Sequence, residues 1–274
     1  MDLSYTAFAQ LLECPRAYAH RYVTPREHGK RNAPIPPQAA VGVLVERLVQ
    51  RFYRDKLWLE TTWEAHLTLQ GALPEVAREV YQESSGVLSG ALEEDVSDLL
   101  PRVVLLIHRE GLGQEGKTEV TYRHPPLMGR ADIVLADTTL LDGKVVRDPS
   151  RVSPLQLHWY RMVAGLCGVP VLRTGFAFWR QSKVVWHEPE EASVKQLERQ
   201  ASLVVKSLTG RAPTAGYLPN PGGHCQKCPW LAGCPEGKAE NAAHTQRRPN
   251  FALPGLQVTV REGSTAQGGS QGCL

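Results

Sequence analysis

Apolar positions along this chain repeat first at helical and then at strand spacing. Val41, Leu44, Val45, Leu48, Val49, Phe52 and Tyr53 form one stripe, which predicts a long buried helix over Pro37–Lys56. Before it, Ser4 can cap a short helix with an apolar face of Phe8, Leu11 and Leu12. Cys14-Pro15 breaks that helix and starts a second, ending near Tyr22, and a Pro-rich basic loop follows over 23–37. Further helical patterns cover Pro74–Gln82 and Ser89–Glu110, with Glu93, Glu94, Asp95 and Asp98 on a solvated face. The period then becomes two over Lys117–Arg123, Leu127–Ala136 and Thr139–Val146, with a tight turn at Asp137-Thr138. Ser153-Pro154-Leu155-Gln156 opens another helix carrying Leu155, Trp159, Met162, Val163 and Leu166. Val169–Trp179 and Ser182–His187 read as strands and Glu190–Leu208 as a helix. Helices, three strands, a helix, two strands and a helix suit an α/β sheet of mixed direction.

At 274 residues, 42% hydrophobic and 22% charged, the chain reads as an ordinary globular protein with a substantial core. Its apolar runs fall short of a membrane span, and no basic, apolar leader opens it, so a cytoplasmic location is expected. Residues 240–274 lose the pattern and read as a mobile tail. No phosphate loop of the GxxxxGK[ST] type occurs, so no ATP motor is expected within the chain.

Six cysteines in a reducing compartment point to ligation in preference to disulfides. Cys225, Cys228 and Cys234 make a three-point claw that lacks one ligand. Cys14 lies beside a helix break, Cys167 reads as a small buried apolar residue, and Cys273 lies in the tail. On spacing alone, tetrahedral zinc (with His224 as a candidate ligand) and an iron–sulfur cluster suit the claw equally.

A second constellation lies on the strands. Asp132 and Asp142 sit among apolar residues, where an unpaired charge costs several kcal/mol. Alternation puts Asp142 and Lys144 on one face, and the hairpin brings Asp132 across to Asp142. Two carboxylates and an amine on one face can hold a divalent cation and direct water at a phosphodiester. The plainer alternative is a structural Asp–Lys pair beside a turn acid. Against it, Glu46 falls at the margin of the buried stripe four residues after Gly42, where a missing side chain permits close approach. Gln156 and Tyr160 share one face of the helix after Lys144.

Together these residues resemble the RecB/Cas4-like branch of the PD-(D/E)XK nucleases, from about Ser4 to Cys234. The matching motifs are Ser4-x3-Phe8 with Cys14-Pro15-Arg16-x-Tyr18, Gly129-Arg130-Ala131-Asp132, Asp142-Gly143-Lys144, Gln156-x3-Tyr160 and Cys225-x2-Cys228-x5-Cys234. The resemblance implies a restriction-endonuclease-like mixed sheet flanked by helices. It implies one domain over 1–239 with a helical insertion at about 57–112, its ends joined by a [4Fe-4S] cluster on Cys14, Cys225, Cys228 and Cys234. Magnesium or manganese is implied at Asp132, Asp142 and the carbonyl of Gly143, with Lys144 as the catalytic lysine. Gln156 and Tyr160 are implied to hold the active-site helix and the DNA strand. Glu46 stands where the family commonly has histidine, so it joins the expected catalytic and metal-binding set.

For DNA contact the candidates are Arg130, Arg16, Arg21, Arg26, Lys30 and Arg31, with nine Lys/Arg against four Asp/Glu between Arg151 and Arg211. Tyr5, Tyr18 and Tyr22 are candidates to stack unpaired bases. The function expected is that of a metal-dependent DNA nuclease, an exonuclease on single-stranded ends in repair or CRISPR spacer processing. A catalytically weakened DNA-binding subunit of a helicase or CRISPR integrase assembly is the competing expectation.

Overall fold

A computed structural model of the chain describes residues 2–23, 37–83, 90–188, 191–208, 217–243 and 260–261. Helix α1 (Tyr5–Glu13) begins where the Ser4 side chain accepts the Ala7 N–H, and α2 (Pro15–Tyr18) has Pro15 in its first turn. A π-helical turn, Ala19–Val23, follows. The expected basic loop, with Arg26, Lys30 and Arg31, lies outside the described residues.

Helices α3 (Pro37–Arg54), α4 (Thr62–Glu83) and α5 (Gly90–Arg109) pack as one layer. The helix expected at Pro74–Gln82 in fact begins twelve residues earlier, with Pro74 inside it. Ala65, Leu69, Ala72, Leu73, Val76 and Val80 form a continuous buried stripe whose packing outweighs the hydrogen bond that proline forfeits. The acidic face of α5 is not wholly solvated either, because Asp95 accepts a bidentate pair from Arg180.

Strands β1 (Gly116–His124), β2 (Leu127–Leu135) and β3 (Leu140–Lys144) run as an antiparallel meander. The β2–β3 turn is closed by Asp137, whose carboxylate accepts the Thr139 N–H. Helix α6 (Leu155–Leu166) crosses back so that β4 (Thr174–Phe178) lies parallel to β3. It ends in a Schellman motif, with Gly168 at φ 77° and Val169 N–H donating to Ala164 O. That outward turn exposes Cys167, which is therefore not the buried apolar residue expected. Residues 169–173 are irregular, so the strand expected from Val169 begins only at Thr174. Strand β5 (Lys183–His187) and a two-residue β6 (Val260–Arg261) complete a sheet of order β1-β2-β3-β4-β5-β6. Helix α7 (Glu191–Leu208) packs on α6, and α8 (Pro235–Ala243) packs on the turns Gly223–Lys227 and Leu231–Gly233. Since α8 runs to Ala243, the boundary expected at 239 falls inside a helix.

The mixed sheet flanked by helices thus matches expectation. One core lies between the sheet and α3–α5, the other between the sheet and α1, α2, α6 and α7. Trp159 of α6 locks the second, its ring 4.9 Å from Phe8 and its indole N–H donating to Met128 O at 2.8 Å. Among the described residues, no helix is long and apolar enough to cross a membrane.

Candidate active site

The site forms where two strands part. The β2–β3 ladder pairs Val134 with Leu140 and Ile133 with Leu141, then stops. Asp132 and Asp142 occupy the next step, where the strands have separated. There the Gly143 N–H donates to Asp132 Oδ2 at 2.8 Å, so a carboxylate takes the place of a ladder carbonyl.

Asp142 is almost fully buried and tightly held. Its Oδ1 accepts from Gln156 Nε2 at 2.9 Å and from Tyr160 OH at 3.2 Å, and its Oδ2 is paired with Lys144 Nζ. Gln156 Nε2 and Tyr160 OH also lie 2.5 Å apart, as their i, i+4 spacing on α6 requires. Both residues therefore bond Asp142 directly. Gly129 of β2 lies against α6, where a Cβ would make ordinary van der Waals contact, 3.4 Å from the Tyr160 ring and 3.5 Å from Val163. The glycine of the GxxD motif and the tyrosine of the QxxxY motif are thus two sides of one contact.

Glu46 reaches the same cleft from α3, with Gln50 donating to its Oε1 at 3.3 Å. The neighbouring Gly42 is not a point of close approach as expected; a Cβ there would meet no atom within 4 Å. A fourth acid, Glu119 of β1, was not anticipated. It shares a hydrogen bond with Glu46, is paired with Arg130 at 2.8 Å, and keeps Oε1 buried without a partner. Its backbone is left-handed, φ 56°, in the middle of a strand. A polar residue in an alternating strand reads as solvent-facing, and nothing in the local sequence announces that reversal.

Burial in company with like charges makes these acids hard to ionise. Asp132 is pushed up to about 8, first by burial and then by the Asp142 charge. Glu46 is pushed up to about 7 by burial, then by Glu119. Asp142 also lies above its ordinary range, because burial outweighs the Lys144 charge beside it. Oxygen donors starved of positive charge fit a hard divalent cation. Glu46, Asp132, Asp142 and the Gly143 carbonyl are the groups that would hold it.

Cys14, Cys225, Cys228 and Cys234 line a single cavity some way from this cleft, although Cys14 lies far from the others in sequence. The two ends are also joined by Arg16–Glu236 at 2.8 Å, Asn220 Nδ2 donating to Glu13 O at 2.9 Å, and stacked His20 and Trp230 rings. Gly222 N–H and Gly237 N–H point at the sulfurs of Cys225 and Cys234, and a Cβ on Gly237 would lie 3.3 Å from Cys234 Sγ. This backbone cradle with thiols on its walls fits a sulfur-ligated group. His224 lines the same cavity. Among the described residues, no three His, Cys, Asp or Glu side chains already form a metal-binding group, so in either place the side chains would have to close in around an ion or cluster.

One DNA-contact candidate requires correction. Arg16 is part-exposed and paired with Glu236 beside the cysteines, but Tyr18 is 1% exposed, packed against Tyr22 and Tyr217 at 5.2 and 6.0 Å. A ring so enclosed has no face for a base. Arg130 and Tyr5 do line the cleft of the acids, and half of the Arg130 side chain is open to solvent.

A model of the PD-(D/E)XK nuclease superfamily matches residues 2–235. A search of curated proteins gives no match. Among solved structures, the crystal structure of SSO0001 aligns over 85% of this chain and 96% of its own at 14% identity. Its TM-score is 0.29, too loose a superposition to carry an argument.

Proposed function

The chain belongs to the PD-(D/E)XK nuclease superfamily, and on that premise we propose that Glu46, Asp132, Asp142 and Lys144 form its phosphodiester-cleaving centre. The superfamily implies a metal-dependent nuclease acting on DNA. The observation that carries the assignment is the convergence, at the parting of β2 and β3, of two buried acids, an amine and the Gln156–Tyr160 clamp. Glu46, Asp132, Asp142 and the Gly143 carbonyl would hold a divalent cation, which would lower the pKa of a water and offset charge building on the phosphate. The chain's own groups do the rest. Gln156 and Tyr160 fix Asp142 in one rotamer, and Gly143 N–H fixes Asp132. Lys144 presents its ammonium beside Asp142, where it can orient the attacking water or steady an oxyanion. Arg130 stands where the incoming phosphate chain would pass.

The finer reading is an exonuclease on single-stranded ends, working in repair or in CRISPR spacer processing beside a helicase or integrase; the RecB/Cas4 resemblance supports it. The same resemblance supports a structural [4Fe-4S] cluster on Cys14, Cys225, Cys228 and Cys234. Thiols spread around a cavity suit a cluster of several irons better than one tetrahedral zinc. An anaerobic preparation should be brown and contain iron and acid-labile sulfide; a colourless zinc protein would refute the cluster.

Cleavage of end-labelled single-stranded DNA with manganese or magnesium tests the main proposal. Asp142→Ala and Lys144→Ala should abolish cleavage while DNA binding persists. Unchanged cleavage in both variants would refute the site, and binding without cleavage by the wild type would leave the assembly-subunit reading standing.

A further inference from the structure

We infer that the cavity between α3 and the end of β3 is a nucleobase subsite, which takes the base of an unpaired nucleotide flanking the scissile phosphate. The inference rests on the nuclease reading above and adds the form of DNA that the site accepts.

Two cavities meet at Glu46, Asp132, Gly143 and Lys144. The one towards α1 and α6 has polar walls, with Ser4, Thr6, Thr121 and Arg130 added to the Gln156–Tyr160 clamp. The other is walled mainly by apolar groups, among them Ala39, Val43, Val145 and an edge of the otherwise buried Trp179, with Gln50 beside them, and holds about 700 Å³ of unfilled space, part of it open to solvent. A phosphodiester seated on the acids carries sugar–phosphate chain to one side and a flat, weakly hydrated base close by. Polar walls match the first and apolar walls match the second. The base of a stacked pair cannot enter such a recess without leaving its partner, so the nucleotide must be unpaired or flipped out.

Gly42 is the second observation. Ala39, Gly42, Val43, Glu46 and Val49 share one face of α3, and a Cβ on Gly42 would meet nothing within 4 Å. Packing therefore does not require glycine there, and glycine is a poor residue for a helix interior. Its presence keeps the recess open beside the acids.

The experiment compares Gly42→Ala and Gly42→Leu with Gly71→Leu, a control on α4 whose added Cβ also meets nothing within 4 Å. Each protein is given two single strands of equal length, one carrying thymine bases and one abasic throughout. The wild type and Gly71→Leu should cleave the base-bearing strand faster, on the order of tenfold, from the apolar surface the base would bury. Gly42→Ala should narrow that difference and Gly42→Leu erase it, with thermal midpoints unchanged or raised in all three variants. A difference that survives in Gly42→Leu, or an equal slowing of both strands, would overturn the subsite. If the wild type binds DNA but cleaves neither strand, the nuclease reading fails by itself. The subsite is then decided on affinities for the same two strands, by the same criterion. Failure to bind either strand would overturn both.

Discussion

Replacing Asp132 by asparagine should stabilise the metal-free protein at pH 8 while abolishing cleavage. Asp132 sits at about 8, raised by burial and by Asp142 from an ordinary 3.8. In a raised acid the folded state holds its proton more tightly than the unfolded state. Its contribution is therefore fully present below about pH 4 and is lost as pH climbs towards 8. At 1.36 kcal/mol per pH unit, an isolated group would forfeit ~6 kcal/mol above pH 8. Water entering the cleft and local relaxation reduce this, and ~2 kcal/mol is a reasonable working figure. Asparagine keeps an oxygen to accept the Gly143 N–H and has no charge to desolvate. In a domain of this size ~2 kcal/mol corresponds to roughly 4–8 °C in thermal midpoint. Melts followed by circular dichroism in a chelator, from pH 4 to pH 8, should show no gain for Asp132→Asn at the acid end and a growing gain above it. Added manganese should raise the midpoint of the wild type but not that of the variant. A variant no more stable than wild type at pH 8, or one stabilised equally at every pH, would refute the account.

Tyr160→Phe and Gln156→Leu each remove one donor from Asp142 Oδ1; each should weaken manganese affinity about 10- to 100-fold, read by titrating cleavage rate against metal. Glu119→Gln takes a competing acid from Glu46, so the acid limb of the pH–rate profile should move about one unit lower. An unmoved profile would mean that Glu119 does not act on Glu46. If the cluster is present, Cys14→Ser should lose iron and lower the thermal midpoint, whereas Cys167→Ser, on the exposed end of α6, should do neither; iron content and melting measure both.

Much of the site was legible because its chemistry is written in short-range spacing. Asp142 and Lys144 two apart on a strand, and Gln156 and Tyr160 four apart on a helix, have their relative placement dictated by backbone period. The hairpin at Asp137-Thr138 then carried Asp132 to Asp142. What escaped depends on contacts distant in sequence or on rare backbone states. Glu119 reaches Glu46 from a left-handed residue inside a strand. Tyr18 is closed off by Tyr217, and no pattern near residue 18 announces that. Helix α4 was cut short at Pro74 because proline reads as a beginning, while α3 and α5 supply the packing that carries the helix through it. The emptiness beside Gly42 is a property of everything around it.

The amino-terminal residues are woven into the sheet: Leu3 N–H donates to Pro126 O at 2.6 Å, and its carbonyl accepts the Met128 N–H at 3.1 Å. Ser4, Tyr5 and Thr6 then form part of the wall around the acids. A purification tag fused ahead of Asp2 is consequently moored two residues from that wall, near enough to crowd a substrate seated on the acids. Silence from such a fusion would speak of a blocked entrance, and turnover belongs to be measured after the tag has been cut away.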